Sequence, residues 1–250
     1  MKFTNPVADE YRRRARLQPV LLVLLPPCFV VGMLMAEALG TWGILTRLGA
    51  AAAASIATGV GLTRLLEQLG RDQGKAKEPA LWANWGGAPT TQILRHRDGN
   101  LCYPALRARY HRKLQQLVPD LRLPSASDEA ACPAAADQIY DAYVRYLIAQ
   151  TRDREKFPLV LEENINYGFR RNLWGMRSAG IVLSATAWAI SAYFLYLRLK
   201  FADPLWIAWA AVLIASLCLL TLWLFRIRPA WVFVPAKAYA QRLLEACDML

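Results

Sequence analysis

Four long apolar stretches set the main constraint on this chain. They are residues 19–39, 43–65, 179–199 and 204–226. Each is close to the ~20 residues that a helix needs to cross ~30 Å of hydrocarbon. The first stretch also follows a basic segment and ends in Ala-Glu-Ala, as signal peptides do, but its length and the second stretch close behind it favour a membrane span. The pattern predicts an all-α membrane protein.

The predicted architecture is four transmembrane helices arranged as two hairpins, with a mainly helical cytoplasmic domain inserted between them. The composition agrees, because 56% apolar residues with a net charge of +11 fit apolar spans joined to basic soluble parts. The predicted segments are a basic cytoplasmic tail (1–18), a first hairpin (19–65), the cytoplasmic domain (66–178), a second hairpin (179–226) and a cytoplasmic tail (227–250).

The distribution of Lys and Arg predicts the orientation of the spans. Five basic residues precede the first span, whereas the 40–42 link between the first two spans has none. Only Arg198 and Lys200 lie near the turn between the last two spans. Since cytoplasmic loops carry an excess of Lys and Arg, both termini and residues 66–178 are expected in the cytoplasm.

The second span is rich in Ala and Gly and has no aromatic ring. Small residues let helix backbones approach closely, either inside the four-helix unit or at a pore or subunit contact. For Arg47, one turn from the outer end, snorkelling to the headgroups is the simpler expectation, and Glu37 is a candidate partner. Pro26-Pro27 should kink or break the first span. The candidate pore or subunit-contact residues are Arg47, Ala51, Ala54, Ser55 and Thr58.

The sequence argues against an enzyme and against a transporter. Apart from Arg47, no ionisable residue lies within a span interior, and no carboxylate or His lies at mid-depth, where a proton relay would need one. The five cysteines have no paired spacing, and the only histidines, His96 and His111, accompany no recognisable nucleophile motif. We therefore expect no catalytic residue, no cofactor and no obligate metal.

The cytoplasmic domain should be built from helices. Residues 104–118, 134–152 and 158–177 have helical periodicity, and the third of these is expected to run directly into the third span. The Pro-, Ser- and Asp-rich residues 119–133 indicate a loop. The predicted buried positions are Leu106, Tyr110, Leu114, Leu117, Ile139, Tyr143, Tyr146 and Leu147.

A Gly-Gly-Ala-Pro-Thr-Thr turn in this domain is the candidate ligand site. Gly86 and Gly87 permit positive φ, and their N–H groups can form an anion nest. Thr90 or Thr91 can cap a helix that begins near Gln92. Trp82 and Trp85 can stack on a base, and the basic residues of 95–113 supply charge. The predicted ligand residues are Trp82, Trp85, Gly86, Gly87, Thr90, Thr91, Arg95, Arg97, Arg109, Arg112 and Lys113.

Two alternatives to a ligand site stay open. Trp and Pro around a Gly turn also make an ordinary packed corner. Basic residues near a cytoplasmic membrane surface also bind lipid headgroups or only hydrate a helix face.

The order of spans and basic domain, with the motifs Trp85–Thr91 and Tyr167–Leu173, resembles bacterial membrane proteins that act as transmembrane effectors of anti-phage systems, notably the Hailong ion-channel effectors. The resemblance covers the architecture of the whole chain and these two motifs. It implies a bacterial inner-membrane location and an oligomeric channel controlled by a nucleic-acid-like ligand.

The predicted function is an oligomeric ion channel or membrane-disrupting effector, gated by an anionic nucleotide-like ligand such as a short oligonucleotide or cyclic nucleotide. A tetramer-like homo-oligomer is expected, since four helices of one chain rarely enclose a channel. The alternative is a membrane scaffold that recruits a cytosolic protein or anionic lipid and has no pore.

Overall fold

The computed structural model describes residues 10–39, 43–98 and 101–250, apart from the side chains of residues 64 and 65. Across these residues all regular structure is helical, which confirms the predicted fold class. The α-helices are α1 (Gln18–Ala38), α2 (Ile44–Ala76), α3 (Glu78–Trp85), α4 (Pro89–Leu94), α5 (Pro104–Leu117), α6 (Ala126–Ala131), α7 (Pro133–Gln150), α8 (Pro158–Gly175), α9 (Arg177–Lys200), α10 (Trp206–Thr221) and α11 (Pro229–Glu245). Short π-helical turns at Arg12–Leu17 and Leu222–Arg226 flank α1 and α10, and a 3-10 turn at Ala246–Asp248 follows α11.

Four helical segments are long and apolar enough to cross a membrane. They are Arg12–Ala38, Ile44–Thr63, Arg177–Lys200 and Trp206–Arg226, which confirms the four predicted spans. The link at 40–42 and residues 1–9 of the predicted basic tail lie outside the described residues.

The chain divides into two compact units. The span unit comprises the chain up to Lys77 together with Phe169–Trp231, and the helical unit comprises Glu78–Gly168 with Val232–Leu250. The helical unit differs from the predicted cytoplasmic domain, because it also includes most of the predicted C-terminal tail. Ala240, Leu243 and Leu244 of α11 are fully buried and lie in the core of that unit.

α1 is the central helix of the span unit. In its most apolar window 56% of residues are buried, against 11% for α2 and 22% for α9 and for α10. α1 packs on α2, α9 and α10, whereas α2 packs mainly on α1. Three of the four spans thus leave most of their surface for lipid or for other subunits.

Side chains donate to backbone carbonyls near two prolines of this unit. Pro19 has no N–H for the carbonyl of Ala15, and the side chain of the buried Asn172 donates to that oxygen instead (2.7 Å). Near Pro229, Arg177 donates to the carbonyls of Trp223 (3.0 Å) and Leu224 (3.2 Å). The predicted break at Pro26-Pro27 does not occur, because α1 continues through both residues.

Gly32 permits the close packing of α1 on α2. A methyl group there would overlap the hydroxyl of Ser55 and the carbonyl of Ala51. The Ser55 hydroxyl lies within hydrogen-bond distance of the Cys28 carbonyl across the interface (2.9 Å) and of the Ala51 carbonyl in its own helix (2.8 Å). The backbone of α1 is therefore held against the small residues of α2.

The helical unit surrounds one core. α5, α7 and α8 match the predicted helices at 104–118, 134–152 and 158–177, except that α8 ends at Gly175 and α9 begins after Met176. The predicted 119–133 loop contains the short helix α6. Ser125 and Asp128 form a reciprocal capping box at the start of this helix. Tyr110, Tyr143, Leu114 and Leu147 are buried as expected, whereas Leu106 is 37% exposed. Ile139, Tyr146 and Leu117 are partly buried against the core.

We expect Gly32→Ala to destabilise the span unit by about 1–3 kcal/mol, the usual cost of overpacking. Gly59→Ala is the matched control, because a methyl group at Gly59 would make only an ordinary contact with the Cys28 sulfur (3.6 Å). Thermal unfolding of the purified protein in detergent measures both. Equal melting temperatures for the two variants would contradict the close approach.

Candidate functional site

The Gly-Gly turn is the C-terminal cap of α3. Gly86 has φ of 85° and Gly87 has φ of 133°. The N–H of Gly87 donates to the carbonyl of Trp82 (2.7 Å), and the N–H of Gly86 donates to that of Ala83 (3.3 Å). These are the two bonds of a Schellman motif. The predicted anion nest is thereby corrected, since both N–H groups already have helix carbonyls as acceptors.

The carbonyl groups of the turn are also occupied. The side-chain amide of Gln92 donates to the carbonyls of Trp85 (2.8 Å) and Gly87 (2.6 Å). The guanidinium of Arg95 donates to the carbonyl of Gly86 (2.6 Å) and lies where a side chain at Gly87 would have to be. The turn thus organises the interior of the unit, as a packed corner does.

The predicted helix cap is also corrected. α4 begins at Pro89, with Ala88 as its cap residue and no side-chain cap bond. Pro is favoured at the first helical position because its φ is already helical and its missing N–H needs no acceptor. Thr90 and Thr91 therefore lie inside the first turn of α4, and Thr91 is buried.

The two tryptophans have different environments. Trp82 is 37% exposed. The ring of Trp85 packs against Phe233 of α11, with ring centroids 5.1 Å apart. Trp85 therefore contributes to packing, and Trp82 has the more accessible ring.

Arg95 and Arg97 belong to an internal ion-pair network. Arg95 makes a two-pronged contact with Asp137 (2.8 Å for each bond) and pairs with Asp98 (2.9 Å). Arg97 pairs with Glu129 (2.7 Å) and Asp137 (2.9 Å). Three carboxylates thus oppose two guanidinium groups, so the positive charge predicted at this part of the segment is neutralised.

Glu129 is the buried centre of that network. Its side chain accepts hydrogen bonds from the backbone N–H of His96 (2.7 Å) and of Arg97 (3.2 Å), and from the hydroxyl of Tyr140 (2.8 Å). Burial raises the pKa of Glu129, but these donors and the Arg97 guanidinium outweigh it and bring the pKa to about 2. The carboxylate is therefore ionised at neutral pH and fixes the 95–98 segment on α6.

The basic residues of α5 have three different roles. Arg107 is buried and donates to the carbonyls of His96 (3.0 Å) and Asp98 (2.7 Å). Arg109 pairs with Asp248 (2.8 Å) while its side chain stays 58% exposed. Arg112 and Lys113 have no carboxylate partner within the part of the chain that the structure describes. Of the predicted ligand residues, Arg109 and Arg112 are exposed on this helix and Lys113 is half-buried beside them.

The predicted pore residues face the protein's own α1. Arg47 is 5% exposed, and its Nε donates to the carbonyl of Ala36 (3.0 Å). Ala51 and Ser55 lie at the close contact with Gly32. The hydroxyl of Thr58 donates to the carbonyl of Ala54 in the same helix (2.9 Å). The structure therefore corrects the assignment of Arg47, Ala51 and Ser55 to a pore or subunit surface, because α1 covers them.

Arg47 is part of a charge cluster at one end of the span unit. It pairs with Glu37 (3.9 Å) and with Asp203 (3.5 Å), which confirms the predicted partner Glu37 in place of snorkelling. Arg198 pairs with the same two carboxylates, and the indole N–H of Trp209 donates to Glu37 (2.6 Å). Burial raises the pKa of Asp203, but the Leu205 amide and both arginines lower it below its usual range. Two positive and two negative groups are balanced here.

The histidines have structural contacts. The rings of His96 and His111 meet edge to face, 4.9 Å between centroids. Each Nε2 lies at a backbone carbonyl, that of Pro124 for His96 (3.2 Å) and that of Leu94 for His111 (2.8 Å). Within the described ranges, no three His, Cys, Asp or Glu side chains are grouped to hold a metal ion.

No family model, no curated protein and no solved structure matches this chain.

We expect Arg95→Gln to destabilise the helical unit by about 3 kcal/mol, since it leaves Asp98 without its guanidinium partner and Asp137 with Arg97 alone. Arg112→Gln removes the same charge from an exposed site and should change stability by less than ~0.5 kcal/mol. Chemical unfolding in detergent, monitored by circular dichroism, gives both values. A ligand-binding role for Arg95 without a structural one predicts instead that both variants unfold alike.

The stability contributed by Glu129 should depend on pH in one direction. Its folded pKa of about 2 lies below the ~4.3 of an unfolded Glu, so the contribution is fully present above pH ~4.3. It is lost as the pH falls towards 2. The free energies of unfolding of the wild type and Glu129→Gln should therefore differ most at neutral pH and converge on acidification. If the difference in free energy of unfolding between the two proteins grew on acidification, the predicted direction of the pKa shift of Glu129 would be wrong.

Proposed function

We propose that this multi-pass membrane protein is a homo-oligomeric ion channel or membrane-disrupting effector of the bacterial inner membrane, acting in anti-phage defence. One observation carries the proposal. Gly49, Ala53, Ala57 and Gly61 recur at every fourth position of α2, and all four are exposed. A methyl group at Gly49 or Gly61 would meet no atom within 4 Å.

This α2 stripe supports self-association inside a bilayer. Small residues at every fourth position let two helices approach closely, which is a main source of helix–helix affinity in lipid. The stripe lies on the side of α2 away from α1, so it differs from the small-residue contact inside the chain. When the contact is heterologous, with the stripe of one copy against a neighbouring face of α2 in the next copy, it closes into a symmetric ring, which is the geometry that a pore requires.

The charges at the two ends of the span unit support the predicted orientation. At one end, Arg47 and Arg198 are balanced by Glu37 and Asp203. At the other end, Arg170 and Arg226 lie over the ring of Trp231, 4.7 Å and 5.6 Å from its centroid. An excess of Lys and Arg over acidic residues is typical of the cytoplasmic side of a span. Both termini and the helical unit are therefore assigned to the cytoplasm.

The ligand surface is assigned to the accessible basic face of α5. Arg109 and Arg112 are exposed and Lys113 is half-buried, and neither Arg112 nor Lys113 has a carboxylate partner among the described residues. Anionic ligands such as a short oligonucleotide or a cyclic nucleotide suit such a face. To gate a pore, the ligand must bind the open and closed states with different affinity.

A membrane scaffold without a pore is the second candidate. The neutralisation of Arg95 and Arg97 by Asp98, Glu129 and Asp137 favours it, because it reduces the charge available to a nucleotide. In that case the helical unit recruits a cytosolic protein or anionic lipid.

The experiment is ion flux from liposomes that contain the purified protein, with and without short single-stranded DNA and cyclic nucleotides. We expect ligand-dependent flux in the wild type and none in Ala53→Trp, because the indole would block close approach at the α2 stripe. Ala211→Trp is the control, since Ala211 is also exposed on a span but lies on α10. Arg112→Glu with Lys113→Glu should remove the ligand response and keep the oligomer.

The oligomer is measured in parallel by mass photometry in detergent. Wild-type oligomers without flux under any ligand would favour the scaffold. A monomeric wild type, or flux that survives Ala53→Trp, would rule out the assembly through α2.

A further inference from the structure

A charged cleft opens at the end of the span unit away from the Glu37–Arg47 cluster. Its volume is about 580 Å³. It lies between the π-helical turn Arg12–Leu17 and the part of α2 that continues beyond Thr63. Its lining residues are Arg12, Arg16, Glu67, Gln68, Arg71 and Asp72.

One pair of residues builds the floor of this cleft. The guanidinium of Arg12 binds both carboxylate oxygens of Glu67, at 2.7 Å and 2.9 Å. The side chain of Glu67 is only 7% exposed, so its charge is already compensated inside the protein. The pair fixes the π-helical turn against α2 and contributes no net charge.

Two arginines of the lining keep positive charge for a ligand. Across the described residues, neither Arg16 nor Arg71 has a carboxylate partner, and the Arg16 guanidinium lies over the ring of Tyr11, 5.5 Å from its centroid. Asp72 is the remaining acidic residue, and it is exposed. After the Arg12–Glu67 pair is set aside, the lining therefore has two guanidinium groups against one carboxylate.

The depth of the cleft along the spans matches a membrane interface. α1 has 21 residues and is therefore roughly 32 Å long, close to the ~30 Å of the hydrocarbon core. Glu37 lies at one end of α1, and Arg16 lies just before the other. When the Glu37 end is at one interface, Arg16 is at the headgroup level of the other.

We propose that this cleft binds the phosphate of an anionic phospholipid headgroup. Guanidinium groups recognise phosphate oxygens through paired, charge-assisted hydrogen bonds. Basic clefts between spans on the cytoplasmic side are where anionic headgroups collect, because that leaflet carries negative lipid. The lipid headgroup would bridge the start of α1 and the extension of α2.

The test uses the full-length protein in detergent micelles with added phosphatidylglycerol, and native mass spectrometry to count retained lipid. Arg16→Gln with Arg71→Gln should weaken retention roughly 30-fold, the combined contribution expected of two basic residues at an anionic surface. Arg13→Gln with Arg228→Gln is the control, because both arginines are exposed, outside the cleft lining and near the same end of the spans. This control should retain lipid as the wild type does.

Two further arms identify the source of the phosphate and guard against misfolding. Arg16→Lys with Arg71→Lys keeps the charge and should restore most of the retention. Phosphatidylcholine should be retained far less than phosphatidylglycerol, and millimolar inorganic phosphate should not displace the lipid. Equal loss in the control variant, equal retention of both lipids, or displacement by inorganic phosphate would each overturn the proposal.

Discussion

The balanced charge cluster of Glu37, Arg47, Arg198 and Asp203 is the constraint on which the span unit depends. It joins the end of α1, the start of α2, the end of α9 and the turn before α10. An unpaired charge buried here would be costly, and removing one member of the cluster would leave another without its partner. The four helix ends are therefore fixed in register, and the close packing at Gly32 can follow from that register.

The helical unit uses the same principle. Five arginines of the 95–113 segment form a basic run in the sequence, yet the fold brings Glu129 and Asp137 to two of them and Asp248 to a third. Charge that is adjacent in sequence is thus a poor measure of charge at the surface. The positive charge that remains available to a ligand or a membrane depends on which carboxylates the tertiary structure places beside each arginine.

The spans and the main helices could be predicted because hydrophobic length and periodicity are local signals. The Schellman cap at Gly86 and Gly87 was also within reach, since glycine after a short apolar helix is its usual signature. The partners of Arg95 and Arg97 were not, because Asp137 lies 42 and 40 residues further along the chain. The buried role of α11 was missed for a related reason: its apolar residues gain a partner only when α5, α7 and α8 form a core.

The two faces of α2 show why composition alone could not assign a pore. One face has Ala51, Ser55 and Gly59, and the other has Gly49, Ala53 and Ala57. The side chains of both faces are small enough for close contact with another helix. α1 takes the first face, because Gly32 and the Ser55 hydroxyl fit there. The second face has no partner within the described chain. In lipid, burying apolar surface does not by itself drive helices together, so this face gains free energy only where a second helix backbone can approach it closely. The proposed contact with a second copy of the chain would supply such a helix.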